Sequence, residues 1–218
     1  MTLALFDLDN TLICGDSDHA WGQFVVTKGL VDAKQFAQKN DQFYSDYGQG
    51  VLDASAYLKF ALEPLSRYSM QELNEFHTEF MTSHIAPMWL VAAEKLIDKH
   101  RTQNHKLVVI TSTNRFVVEP IVQKLGIDNI ICSEPEIREG RYTGNFLEEP
   151  CFREGKITKL QRWLNTRPET MADAWFYSDS FNDIPLLEQV ENPVAVDPDN
   201  HLKARAEKAG WQILSLRG

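Results

Sequence analysis

The segment LALFDLDNTL, residues 3–12, constrains the fold of this chain more than any other stretch. Its apolar run, Leu3–Phe6, is continuous rather than alternating, which is typical of a strand in a parallel sheet covered on both faces. The run ends in two aspartates, Asp7 and Asp9, although burying an unpaired carboxylate costs on the order of several kcal/mol. Two acids at the end of a core strand therefore indicate a site that uses their charge.

Further short apolar runs predict three more buried strands, at Leu107–Thr111, Trp175–Ser178 and Val194–Val196. Helical patterns at Val117–Leu125 and Lys156–Leu164 lie between them. Strands that alternate with helices at this spacing predict an α/β fold with a doubly wound parallel sheet.

A long connection follows the first strand: roughly ninety residues without a convincing strand, too many for an unstructured loop. Helix-spaced apolar and aromatic residues predict four helices there, at Asp18–Lys28, Ala33–Tyr47, Asp53–Leu62 and Met70–Ser83. We therefore predict an α/β catalytic core from residues 1–14 and 96–218, and a helical cap domain from residues 15–95. The segment Ile130–Phe146 further predicts a two-stranded hairpin that turns near Glu139-Gly140.

Composition narrows the choice of partners and compartment. The 218 residues are 43% hydrophobic and 24% charged, and their net charge of -9 argues against nucleic acid or an anionic membrane as the main partner. No apolar run is long enough to span a membrane, and no signal peptide is apparent. Three widely spaced cysteines, Cys14, Cys132 and Cys151, support neither a disulfide framework nor a zinc site. We expect a cytoplasmic protein with reduced thiols, either a monomer or a homodimer.

Polar side chains follow three of the predicted strands at the point where each ends. The carboxyl ends of parallel strands meet at one edge of a sheet, so these groups are expected to converge in one crevice. Four carboxylates in one place repel each other unless a cation lies among them, and hard oxygen ligands favour Mg²⁺. Lys156, just before a predicted helix, adds a positive charge. The strand-end groups are Asp7, Asp9, Thr111, Ser112, Thr113, Asn114, Asp179 and Asp183.

Taken together, these motifs resemble those of the haloacid dehalogenase superfamily of aspartate-nucleophile hydrolases. DLDNT at residues 7–11 is similar to the first motif of that family, and SDSFND at residues 178–183 to the fourth. Thr111 or Ser112 corresponds to the hydroxyl of the second motif, and Lys156 to the lysine of the third. The helical insert occupies the position of the type-one cap in the phosphoserine-phosphatase-like branch.

The resemblance implies a phosphatase with defined roles for these residues. Asp7 is expected to be the nucleophile that forms an aspartyl-phosphate, and Asp9 the general acid and base. Lys156 and Ser112, favoured over Thr111, are expected to hold the phosphoryl oxygens. The expected magnesium site uses Asp7, the backbone carbonyl of Asp9, Asp179 and, through water or at the edge of the shell, Asp183.

The substrate is expected to be a small phosphate ester that carries an amine. In phosphoserine phosphatases a glutamate after the first motif holds the substrate ammonium; Asp16 takes its place by spacing, with Asp18 two residues further on. Thr113 and Asn114 are further candidates for substrate contact. The family's cap arginine has no clear counterpart here, since Arg67 is the only arginine in the cap before its last helix. An amino alcohol phosphate without a carboxylate, such as histidinol phosphate, needs only the acids. Histidinol phosphate and phosphoserine are the leading candidates.

Other interpretations of the same residues stay open. Asp16 and Asp18 are also suited to capping the first cap helix. A receiver-like signalling module uses acids, a hydroxyl, a lysine and Mg²⁺ as well, although such modules are about half this length. A catalytically silent phosphate-binding relative is the third possibility.

Overall fold

A computed structural model describes residues 2–217, which form eight β-strands and nine α-helices. Six strands build one sheet and the remaining two form a separate hairpin. The strands are β1 (Leu3–Phe6), β2 (Lys106–Asn114), β3 (Asn129–Ser133), β4 (Pro135–Arg138), β5 (Arg141–Phe146), β6 (Trp175–Ser178), β7 (Asn192–Val196) and β8 (Gln212–Leu214). The large sheet has the order β3-β2-β1-β6-β7-β8, and every neighbouring pair is parallel. The predicted α/β fold with a parallel sheet is confirmed.

All four predicted strands are present. The bounds of β1 and β6 are those predicted, β2 extends the second run to Asn114, and β7 begins two residues earlier than predicted. The three-residue edge strand β8 was not predicted, because so short a segment carries little pattern of its own. β1 lies between β2 and β6 in the middle of the sheet, so its carboxyl end has neighbours on both sides.

The predicted hairpin at Ile130–Phe146 is wrong in its first strand. Residues 129–133 form β3 of the main sheet, paired in parallel with β2. The actual hairpin consists of β4 and β5, which turn at Glu139 and Gly140, both with positive φ. The physical reason is burial: Ile131 and Cys132 are almost fully buried and supply an apolar edge to the sheet.

Nine helices accompany the sheet. α1 to α4 lie in the chain between β1 and α5, and the later helices alternate with the strands. Short 3-10 turns at Glu63–Arg67, Ala86–Met88 and Phe181–Asp183, and a π-helical turn at Met81–Ile85, complete the helical structure. The helices are α1 (Ser17–Thr27), α2 (Ala33–Gln49), α3 (Ala54–Leu62), α4 (Met70–Phe80), α5 (Val91–Thr102), α6 (Arg115–Lys124), α7 (Glu154–Leu164), α8 (Ile184–Leu187) and α9 (Asn200–Ala209).

Both faces of the sheet are covered, which explains the continuous apolar strands. Successive side chains of β1 point to opposite faces: Ala4 and Phe6 pack in one hydrophobic cluster, Leu3 and Leu5 in the other. The first cluster includes residues of α1, α4, α5 and α6, and the second includes residues of α7, α8 and α9.

The four predicted insert helices are observed as α1 to α4, each started by a capping side chain. Asp16, Asp32, Asp53 and Ser69 accept hydrogen bonds from backbone N–H groups of the first turn. The division into a core and a cap domain stays a prediction, and its terminal residues 1 and 218 lie outside the described residues. Between residues 2 and 217, no helix is both long and apolar enough to cross a membrane.

Candidate active site

The carboxyl end of β1 turns sharply, so that two carboxylates face one cavity. Leu8 between them is fully buried, and its carbonyl accepts the backbone N–H of Leu12 at 2.8 Å. Asn10 has a φ of 55°, a left-handed conformation that asparagine tolerates better than most residues. Asp7 and Asp9 both line the cavity, although Asp7 is only 5% exposed.

A buried ion-pair chain runs from Asp7 through Lys156 to Asp183. Lys156 Nζ lies 2.8 Å from Asp7 Oδ1 and 2.7 Å from Asp183 Oδ2, and the lysine is 1% exposed. Ser178 Oγ donates to the same Asp183 oxygen at 2.7 Å. Burial raises the pKa of Asp7 to about 7, although the charge of Lys156 opposes this shift. The charges of Asp7 and Asp183 outweigh burial at Lys156 and raise the pKa of its ammonium. Lys156 therefore stays charged, and its position is fixed from two sides.

Asp9 is held so that its carboxylate can carry a proton near neutral pH. Oδ1 accepts the backbone N–H of Ser17 at 2.6 Å, and Oδ2 accepts the Thr113 hydroxyl at 2.8 Å. Burial and the neighbouring charge of Asp16 raise the pKa of Asp9 to about 7. A group with this pKa is suited to giving and taking a proton in a neutral solution.

Asp179 completes the acidic side of the cavity. The Thr11 hydroxyl donates to Asp179 Oδ1 at 3.2 Å and accepts the Asp179 backbone N–H at 3.1 Å. Burial, followed by the charges of Asp7 and Asp183, raises the pKa of Asp179 well above its ordinary value. A cation bound among these carboxylates would reduce their mutual repulsion and stabilise their ionised forms.

These residues fit a magnesium site with few protein ligands. Within residues 2–217, no group of three or more His, Cys, Asp or Glu side chains is arranged to hold a metal ion through side chains alone. Asp7 and Asp179 line the cavity, whereas Asp183 does not and instead contacts Lys156 and Ser178. Mg²⁺ commonly keeps several waters and binds one or two carboxylates. Two carboxylates with a backbone carbonyl match that preference.

The end of β2 supplies hydroxyl and amide groups. The Thr111 hydroxyl accepts the Thr113 backbone N–H at 3.2 Å, while half-buried Ser112 lines the cavity beside it. Thr113 also lines the cavity and contacts Asp9. Asn114 does not line the cavity: its amide oxygen accepts the Val117 N–H at the start of α6, and its nitrogen donates to Asp18 Oδ1, both at 3.3 Å.

Asp16 and Asp18 both line the cavity, and one of them is also a helix cap. Asp16 Oδ1 accepts the backbone N–H of His19 at 2.7 Å and starts α1. Asp18 is 6% exposed and lies beside Asn114 and the Tyr57 hydroxyl. Burial raises the pKa of both carboxyls, and each carboxyl has a further acid nearby.

Sequence reasoning missed the aromatic wall of this cavity. The space measures about 720 Å³ including its opening to solvent. α2 is a mostly polar helix, and the cluster of aromatic residues at positions 43, 44 and 47 is the signal that points to a lining role. Of the residues described, none of the cavity's lining side chains is a lysine or an arginine. The aromatic wall consists of Phe43, Tyr44 and Tyr47 from α2, Tyr57 from α3, and Phe152.

The end of α2 is attached to the two segments that lie next to Lys156 and Asp179. Arg153 Nη2 donates to the Gly50 carbonyl at 2.7 Å, and Arg153 Nε to Asn182 Oδ1 at 2.9 Å. The Tyr47 hydroxyl donates to Ser180 Oγ at 3.2 Å. Gly50 has a φ of 72°, and a Cβ there would lie 2.9 Å from Arg153, so only glycine suits this close approach.

Arg67, the one candidate for a carboxylate-binding arginine, lies on the surface. Its guanidinium forms two hydrogen bonds with Glu63, at 3.0 and 2.6 Å, and both side chains are about half exposed. It does not line the cavity.

Comparison with known proteins identifies relatives over the whole length of the chain. Residues 4–188 match the haloacid dehalogenase-like hydrolase family. The chain is 48% identical to a histidinol-phosphatase of Neisseria meningitidis, over 99% of both chains. A crystal structure of a Bordetella pertussis Tohama I protein with unknown function superposes with a TM-score of 0.92 at 38% identity, covering 99% of this chain and 100% of that one. A substrate-bound phosphoserine phosphatase shares the fold, with a TM-score of 0.71 at 17% identity over 99% and 93%.

Proposed function

The chain belongs to the haloacid dehalogenase-like hydrolases and is a phosphatase of that family, and from this premise we propose that it hydrolyses a small amine-bearing phosphate monoester through an aspartyl-phosphate. The observation that carries the proposal is the ion-pair chain of Asp7, Lys156 and Asp183. It holds the Asp7 carboxylate, which lines the cavity, directly against a buried positive charge at the end of the central strand.

In the proposed first step, a carboxylate oxygen of Asp7 attacks phosphorus while the bond from phosphorus to the ester oxygen breaks. Asp9 gives its proton to the departing alkoxide, which leaves as an alcohol. Lys156 balances negative charge on the phosphoryl group, and the Ser112 hydroxyl donates to one of its oxygens. The hydrogen bonds from Ser17 and Thr113 keep the Asp9 carboxylate in place for this transfer.

In the second step, water replaces the aspartate. Asp9, now deprotonated, removes a proton from that water as its oxygen attacks phosphorus, and the bond from phosphorus to Asp7 breaks. Inorganic phosphate leaves, Asp7 is regenerated as a carboxylate and Asp9 is protonated again. The pKa of about 7 for Asp9 supports both roles.

We further propose that Mg²⁺ is bound by Asp7, the backbone carbonyl of Asp9 and Asp179. Asp183 lies outside the coordination shell and acts through its contact with Lys156 and through water. A bound Mg²⁺ would neutralise the repulsion between the carboxylate nucleophile and the phosphate dianion. The raised pKa of Asp179, caused partly by the charge of Asp7, supports a cation between them.

The leaving group is proposed to be cationic and to lack a carboxylate. Asp16 and Asp18 present negative charge to the cavity, which attracts an ammonium and repels a carboxylate. Arg67 is paired with Glu63 on the surface and is not available to bind a carboxylate in the cavity. These contacts favour histidinol phosphate over phosphoserine, as does the 48% identity to the Neisseria histidinol-phosphatase.

The test measures phosphate release from p-nitrophenyl phosphate, histidinol phosphate and phosphoserine, with Mg²⁺ and with a chelator. We expect Mg²⁺-dependent turnover, highest kcat/KM for histidinol phosphate, and a loss of about 10⁴-fold or more in Asp7→Asn. Asp98→Asn, an exposed aspartate on α5, is the matched control and keeps full activity. Turnover by Asp7→Asn at the wild-type rate would contradict the role of Asp7 as the nucleophile. Equal rates with and without Mg²⁺ would contradict the proposed metal requirement.

A further inference from the structure

The two acids that follow β1, Asp16 and Asp18, have different neighbours in the cavity. Asp16 directly precedes Ser17, whose backbone N–H donates to Asp9 Oδ1 at 2.6 Å. Asp18 instead contacts Asn114 and Tyr57 of α3. Asp16 therefore lies next to the proton-transferring carboxylate, and Asp18 faces the helical wall. Both line the same cavity, so a ligand of sufficient length contacts the two in turn.

Asp18 is surrounded differently from Asp16. Asp16 is committed to the start of α1 through the His19 N–H. Asp18 lies 94% buried between Asn114 of the core and Tyr57 of α3, with the Asn114 amide donating to one oxygen. A desolvated carboxylate next to a phenol favours a ligand that brings N–H donors and positive charge.

Aromatic rings enclose the space around these groups. Phe43 packs edge-on against Tyr57, with ring centroids 5.3 Å apart, and Tyr47 lies 5.9 Å from Phe152. Such walls bind flat rings by stacking and bind cations through the negative faces of the rings. An aliphatic amine alone would leave most of this surface without contact.

The geometry points to Asp18 and Tyr57 as a second recognition site, for the ring N–H of a nitrogen heterocycle on the leaving group. This inference rests on the proposed phosphatase function and adds a specificity determinant to it. In such a substrate the ammonium lies near the ester oxygen and meets Asp16, while the ring extends further and meets Asp18 within the aromatic wall. An imidazole separated from the amine-bearing carbon by one methylene has this arrangement.

The first experiment compares kcat and KM for histidinol phosphate and phosphoethanolamine, which has the amine but no ring. We expect Asp18→Asn to raise KM for histidinol phosphate about tenfold or more, with kcat within about threefold. Its effect on phosphoethanolamine should be at least about fivefold smaller, because that ester does not reach the second site. Tyr57→Phe, which keeps the ring, should give a smaller increase in the same direction.

A control separates recognition from loosening of α3. Asp53→Ala removes the helix cap of α3 without touching the cavity lining, since Asp53 is exposed and its carboxylate bonds only Ser55 and Ala56 N–H groups. If Asp53→Ala reproduced the selective rise in KM, or if Asp18→Asn affected both esters equally, the second site would be wrong.

Direct binding distinguishes this inference from the proposed function. Calorimetry with histidinol itself, the dephosphorylated alcohol, should show binding that Asp18→Asn weakens about tenfold or more. Selective binding without turnover of any ester would overturn the phosphatase proposal and leave the recognition site intact. Turnover of p-nitrophenyl phosphate without an effect of Asp18→Asn on histidinol binding would overturn the recognition site and leave the phosphatase proposal intact.

Discussion

The two sides of the cavity are built in different ways. On the strand side, each carboxylate has partners within the core: Lys156 for Asp7, Thr113 for Asp9 and Thr11 for Asp179. On the helical side, rings form the wall and two acids supply the charge. The strand side is a hydrogen-bonded polar network suited to holding the reacting groups in place, whereas the helical side is a shaped surface suited to selecting a leaving group. Changes on the first side should affect rate and stability together, and changes on the second side mainly affinity.

Lys156→Met should produce the largest effect. Without the ammonium, Asp7 and Asp183 remain buried without a counter-charge, and we expect a loss of about 3–5 kcal/mol in the free energy of unfolding at pH 8. The loss should be smaller at pH 5, because the raised pKa of Asp7 lets it become neutral there. We expect kcat to fall about 10³-fold.

Urea unfolding at both pH values and steady-state kinetics check this prediction. Lys159→Met, one turn further along α7, is the matched control: its partner Glu148 is about half exposed, so the loss should be about 1 kcal/mol or less. Equal losses in the two variants would show that the strand side does not depend on this ion pair.

Asp9 on the strand side should make stability depend on pH. The folded-state pKa of Asp9 is about 7, above the unfolded value of about 3.9, so folding binds a proton between these values. The contribution of Asp9 therefore falls as pH rises from about 4 to about 7, by up to about 4 kcal/mol.

Buried His100 has a pKa lowered to about 4, so its contribution to the free energy of unfolding rises with pH where that of Asp9 falls. The contribution of Asp9 is therefore measured as the difference between wild type and a variant. The difference in unfolding free energy between wild type and Asp9→Asn, measured without Mg²⁺ at steps from pH 4 to 8, cancels the histidine contribution. A difference that increased in favour of wild type with rising pH would contradict the raised pKa.

Arg153→Met tests how far the two sides depend on each other. It removes the hydrogen bonds to Gly50 and Asn182, and we expect kcat/KM to fall about tenfold through misplacement of the helical side. Amide hydrogen exchange at residues 47–52 should become faster, with a small change in global stability. Arg162→Met, an exposed arginine on α7, is the control. Identical exchange in both variants would show that these contacts do not hold α2 in place.

Arg67→Met should have the smallest effect, within about twofold in kcat/KM for every ester. Its ion pair with Glu63 is exposed, and such pairs contribute about 0–1 kcal/mol. Kinetics with phosphoserine and histidinol phosphate side by side check this. A selective loss of phosphoserine turnover would show that Arg67 binds a carboxylate after all and would change the assignment of the helical side.

The sequence predicted the strand side better than the helical side. The continuous apolar run before Asp7 and the SDSFND segment encode buried strands and their polar ends locally, so β1 and β6 have the predicted bounds. The hairpin prediction failed at β3, because a short apolar run next to a hairpin looks the same whether it pairs with that hairpin or with a distant strand. The aromatic residues of α2 contributed to the helix prediction, but their cavity-lining role was missed because a ring on a helix more often indicates packing.

The sequence by itself determined the family, the parallel sheet and which residue types end its strands, since strand burial and helix capping depend on neighbouring residues. Only the tertiary structure decided which acid meets which partner. Lys156 contacts Asp7 across 149 positions of the chain, and Thr113 contacts Asp9 across 104. Such contacts depend on how strands and helices pack, and the same packing turned Asp183 toward Lys156 and brought aromatic rings over the cavity.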